Sequence, residues 1–82
     1  MKILVNITVP AISEQYDIFV PTNVRIKIIA SLVANTVEEL SDHRYVASGS
    51  ECLCSLEKNI LLRHGATLND YGIQTGDHLI MM

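Results

Sequence analysis

The chain of 82 residues contains no tryptophan, one phenylalanine, two cysteines, two prolines and four glycines. Each scarcity excludes something. Without aromatic bulk the core must be aliphatic, and 49% hydrophobic residues supply it. So few prolines and glycines rule out a linker-like or low-complexity chain. Cys52 and Cys54, spaced by two, close a disulfide poorly. A metal site would need more ligands near by, and C-x-C with scattered histidines is a weak metal signal. They are expected as small buried or half-buried apolar residues of a reducing compartment. Six Lys+Arg against nine Asp+Glu give a net charge of −3, with no basic run. That excludes the cationic footprint needed for nucleic acid and disfavours an anionic membrane surface. No apolar run approaches the ~20 residues that span a bilayer. The N-terminal "MKILVNITVPAIS" resembles a secretory leader only superficially, because Asn6 and Thr8 interrupt it and no small-residue cleavage site follows. The expectation is one domain over residues 1–82, in the cytoplasm and without direct membrane insertion.

What is present is patterning. Residues 2–9 alternate, with Ile3, Val5, Ile7 and Val9 on one face. A polar turn over 10–15 leads to a second strand at 16–20, giving a hairpin. From about residue 25 to residue 40 the period becomes helical. Ile26, Ile29, Leu32, Val33, Val37 and Leu40 form its stripe, and Thr22 or Asn23 is the expected cap. Residues 45–51 read as a connector. Short strands follow at 52–56 and 60–62. Thr67 and Asp70 have capping-box spacing over one helical turn, and "HLIMM" (78–82) is the last strand. The expected core includes Ile29, Leu32, Val33, Leu68, Ile73, Leu79 and Met81.

This order is similar to the ubiquitin-like β-grasp: an α+β fold in which one helix crosses a mixed sheet of four to five strands. The carrying motif, G-x-T-L-x-D-Y-x-I, is met by Gly65, Thr67, Leu68, Asp70, Tyr71 and Ile73. The resemblance implies that the Tyr71 hydroxyl pins its loop and that Leu68 and Ile73 plug the core. A narrower resemblance is to the YukD-like proteins of type VII secretion loci. Val20, Pro21, Ile26 and Lys27 match their entry to the helix, and Asp70, Tyr71, Ile73, Gly76, Asp77 and Leu79 match their closing segment. It implies a noncovalent adaptor or regulatory protein whose partners are secretion machinery or its cytosolic factors. The rival is a modifier or sulfur carrier acting through a Gly-Gly carboxylate. Because the last strand runs to Met82 and the nearest glycine is Gly76, that chemistry is not expected.

No catalytic constellation is legible. His43, His64 and His78 fall on different elements, and Ser48, Ser50 and the cysteines have no base at a defined spacing. No enzyme activity, cofactor or metal is expected. The sheet face turned away from the helix is more informative. In the strand order 2-1-5-3-4 that the β-grasp resemblance implies, Leu4, Phe19, Leu53, Ile80 and Met82 are expected to form one exposed apolar stripe on four adjacent strands. Polar residues are the norm on such a face, and a contiguous apolar patch marks a binding surface, for a protein partner or a weak homodimer.

Overall fold

The computed structural model describes residues 1–82. Alternating burial along Lys2–Val9 (β1) follows the alternating sequence, with odd positions inward. Pro10–Ile12 form a 3₁₀ turn ended by Ser13 in the left-handed region (φ 54°). The return strand Glu14–Pro21 (β2) pairs antiparallel with β1 from Val9↔Glu14 to Lys2↔Pro21. It starts two residues earlier than the alternation indicates, because the tight turn uses only residues 10–13.

The helix Ile26–Leu40 (α1) lies where its period places it, but its contacts differ from the expectation in two ways. Neither Thr22 nor Asn23 caps it. Thr22 is buried and bonds instead to the Met1 carbonyl, through its N–H (2.8 Å) and its hydroxyl (3.1 Å). The first helical amides, of Ile26 and Lys27, donate to the carbonyls of Ala66 (2.8 Å) and His64 (3.1 Å). A distant loop thus satisfies donors that a local side chain usually takes. The buried stripe is also rotated. It comprises Ile26, Ile29, Ala30, Val33, Ala34 and Val37, whereas Leu32 is 45% and Leu40 57% exposed. At about 100° per residue, Leu32 lies on the solvent-facing rim of the stripe. Ala30 and Ala34 are buried on the opposite rim, where Ala34 borders the connector. Leu40, in the last turn, projects past the core. Leu32→Ala should therefore cost under about 1 kcal/mol, against the 2–5 kcal/mol typical of a buried leucine. Urea denaturation checks this, and a larger loss would return Leu32 to the core.

The remaining elements are Leu53–Ser55 (β3), Ile60–Leu61 (β4), a 3₁₀ turn at Asn69–Tyr71 and His78–Met81 (β5). The five strands form one mixed sheet in the order β2-β1-β5-β3-β4, with β1 and β5 parallel. The capping box forms as spaced: the amide of Thr67 donates to Asp70 Oδ2 (2.9 Å), and that of Asp70 to Thr67 Oγ1 (3.2 Å). Gly72, at φ 66°, ends the turn in a conformation that favours glycine. The Tyr71 hydroxyl accepts from the Arg63 amide (3.0 Å) and so ties its loop to the end of β4. One apolar cluster joins the inner sheet face, α1, Leu68 and Ile73, so there is one core.

Leu53 requires a correction. It is fully buried, because the register Leu53↔Met81 puts it on the inner face with Met81. A three-residue strand behind an irregular connector carries too little alternation to reveal its phase.

Candidate functional site

The sheet face opposite α1 is the candidate site, and strand pairing fixes its layout. Leu4 on β1 lies beside Phe19 on β2. Phe19, the only phenylalanine in the chain, is 65% exposed. Two residues further along β1, Asn6 lies between Asp17 of β2 and His78 of β5. Two residues beyond that, Thr8 adjoins Ile80, which faces Cys54, which faces Leu61 of β4. Met82 and Cys52 then exchange backbone bonds of 2.9 and 2.7 Å at the end of the sheet.

The expected single stripe is thus two patches. Leu4 and Phe19 form the first, while Ile80, Met82, Cys52, Cys54 and Leu61 form the second. Of the side chains expected on this face, Leu4 and Ile80 are half-buried, Phe19 and Met82 are exposed, and Leu53 is absent. The phase of β3 that removes Leu53 brings both cysteines outward, where they are free and half-buried. Leu61, 58% exposed, was legible as apolar but not as outward-facing, since β4 is only two residues long.

A hydrogen-bonded polar belt separates the patches. Asn6 Nδ2 donates to Asp17 Oδ1 (3.1 Å), which fixes the amide's orientation and leaves Asn6 Oδ1 buried without a partner. At the other end the His78 amide donates to Glu57 Oε1 (2.9 Å), and His78 Nδ1 lies 2.6 Å from Glu57 Oε2. The bonds from the His78 ring and backbone hold the Glu57 carboxyl below its ordinary range.

A second polar cluster lies away from this face, in the connector. Glu51 is buried, and its Oε2 accepts from the Tyr45 hydroxyl (2.7 Å), the Ser48 amide (2.7 Å) and the Ser48 hydroxyl (3.1 Å). Its Oε1 accepts from the Gly49 amide (3.1 Å). Burial alone would raise its pKa, but the Ser48 and Tyr45 bonds outweigh that and lower it to about 2. Burial first, then the Glu51 carboxylate, pushes the Tyr45 hydroxyl up to about 12. Every donor comes from within six residues of Glu51 in the chain, so the cluster folds the connector onto itself.

The histidines do not converge. His43 stands 3.5 Å from Glu38, His64 lies in the loop that caps α1, and His78 belongs to the belt. No three His, Cys, Asp or Glu side chains are placed to share a metal ion. Of two shallow concavities, one lies between Met1, Thr22 and the 69–75 loop, the other between α1 and the connector. The second is lined by Ser48 and Glu51, whose hydroxyl and carboxylate are bonded to each other (3.1 Å) within the connector's own cluster. No helix is long and apolar enough to cross a membrane.

The helix crossing a mixed sheet of order β2-β1-β5-β3-β4 is the ubiquitin-like fold. The ubiquitin-like domain of the Mycobacterium tuberculosis type VII secretion protein ECCD1 is similar over 100% of this chain and 98% of its own, at TM-score 0.77 and 13% identity. A chain of the ESX-5 inner membrane complex is similar over 99% of this chain and 20% of its own, at TM-score 0.71 and 18% identity. The ubiquitin-like domain of an Arabidopsis thaliana protein is similar over 99% and 76%, at TM-score 0.74 and 20% identity. No curated protein sequence matches the chain. The family profile described as "WXG100 protein secretion system (Wss), protein YukD" matches residues 4–81, and the chain belongs to that family.

Proposed function

We propose that this protein is a noncovalent adaptor or regulatory component of a type VII secretion system, a single cytoplasmic domain that acts by binding rather than catalysis. The observation that carries the reading is the open face. An exposed phenylalanine and a five-residue apolar patch stand where a solvent-facing sheet ordinarily presents polar residues. Family membership supplies the context, and the partner is machinery of that system or one of its cytosolic factors.

Co-purification from native cells, with a tag on the wild type and on Ile80→Asp, tests this. The wild type should recover components of the secretion machinery, and the variant, charged within the larger patch, should lose them by at least about tenfold. Unchanged recovery by a folded Ile80→Asp variant would show the face idle, and recovery of no secretion component by the wild type would remove the adaptor role. Intact-mass analysis after incubation with ATP and lysate should show no adduct. A carboxyl-linked conjugate would establish instead a modifier or carrier acting through its terminus.

A further inference from the structure

We infer that the open face takes an amphipathic helix of a protein partner, one that carries a lysine or arginine midway between two apolar contacts. This rests on the binding role proposed above and specifies the chemistry of its partner. Three features of the face lead to it.

The first is spacing. Leu4 and Thr8 are four residues apart on β1, or ~13 Å at the rise of a strand. The centre of the Leu4–Phe19 patch and that of the Ile80–Cys54 patch are also offset by about two strands, ~10 Å. The diagonal between them is therefore ~16 Å. A helix rising ~1.5 Å per residue covers that in about eleven residues, three turns, which returns to nearly the same face. One apolar side chain at each end of this span meets one patch.

The second is charge. Midway along that diagonal the helix crosses the belt between Asn6 and His78. Asp17 and Glu57 stand on either side of the crossing, both exposed, and the belt contains no lysine or arginine. Acidic groups on both sides favour a cation at the centre of the bound segment and penalise an anion. The carboxylates are held in place by Asn6 and His78, so little side-chain ordering remains to be done on binding.

The third concerns backbone. In the interior of a five-stranded sheet the N–H and C=O groups are engaged in ladders, so an extended segment gains no main-chain bonds on this face. A helix satisfies its own backbone and needs only side-chain contacts. Two copies of this chain meeting face to face would bring two acidic belts together, which disfavours a second copy as the occupant.

The test uses the full-length ¹⁵N-labelled protein and two synthetic helical peptides, each with leucines at both ends of one three-turn face. They differ only at the midpoint, lysine in one and glutamate in the other. Amide shifts should map to Phe19, Asn6, His78 and Ile80, and the lysine peptide should bind roughly fivefold more tightly, as expected for exposed charges. The double variant Asp17→Lys/Glu57→Lys should reverse the preference. Equal affinity of both peptides would overturn the charge selectivity while leaving an apolar docking face intact. Shifts that depend on protein concentration and not on peptide would make a second copy the occupant and overturn the inference. Failure of both peptides to bind would overturn the helix, whereas co-purification with secretion machinery judges the adaptor role separately.

Discussion

Leu79→Asp should abolish folding, whereas Ile80→Asp, one residue later, should leave the protein folded with a nearly unchanged melting temperature. Leu79 is fully buried in the central strand β5, beside Ile7 on β1 and Ser55 on β3. Replacing it forfeits the ~1.5–3 kcal/mol of a buried leucine and puts an unpaired carboxylate in an aliphatic core, a further several kcal/mol. A small domain has only about 5–15 kcal/mol in total. Ile80 points to the other face, half-buried among Thr8 and Cys54, where a carboxylate reaches water. Circular dichroism with thermal melting decides the matter. An unfolded Ile80→Asp variant beside a stable Leu79→Asp variant would mean that β5 is turned over.

The other large effect is expected from Glu51→Gln. The amide keeps the shape of the carboxyl but cannot accept, on both oxygens, the bonds from Tyr45, Ser48 and Gly49. Bonds to an ionised acceptor are the strong ones, and a donor left unpaired near the interior adds its own cost. The pKa gives the sign. The carboxyl is lowered from an ordinary 4.5 to about 2 in the folded protein. Ionised Glu51 therefore contributes stability that is fully present above pH 4.5 and fades as pH falls toward 2. Its size is on the order of 2–4 kcal/mol. Urea unfolding at neutral pH should show the variant destabilised by that order, and an acid titration should show a shallower loss than in the wild type. Identical acid profiles would mean that Glu51 is not ionised within its ring of donors. Tyr45 contributes in the opposite direction. Its pKa is raised, so the stability it brings is present below pH 10 and is lost as pH rises toward 12.

The uneven legibility of this protein has a physical basis. β1 has eight residues of alternation and α1 four turns of period, so each announces its type and inner face. The Thr67–Asp70 box is local and forms as the spacing indicates. Burial of Leu32 could not be read this way. A helical stripe gives a direction to within a residue or so, and only contact with the sheet decides whether a leucine or an alanine takes the rim. The phase of β3 was hidden for a related reason, since three residues cannot establish a period and the pairing with Met81 is nonlocal. The belt was out of reach altogether. Asp17, Asn6, His78 and Glu57 come from four segments, and only the parallel register Asn6↔His78 brings them into line. Glu51 lies at the other extreme, with local partners but in an irregular loop where no pattern marks a charged residue as buried.

The strand order has a consequence in time. β1–β2 and β3–β4 are each antiparallel pairs close in sequence, yet within the sheet they are joined only through β5. The strand at the centre of the sheet is thus the last in chain order. During synthesis the first pair and its helix must wait, with one long edge of β1 unpaired, until residues 78–81 leave the ribosome and insert between β1 and β3. Such nonlocal closure is slow compared with hairpin formation and keeps apolar strand surface exposed meanwhile. Cooperativity should accordingly be concentrated in β5: hydrogen exchange at Leu79 and Ile80 can proceed only when the two halves of the sheet part, so these amides report separation of the whole molecule into its two hairpins.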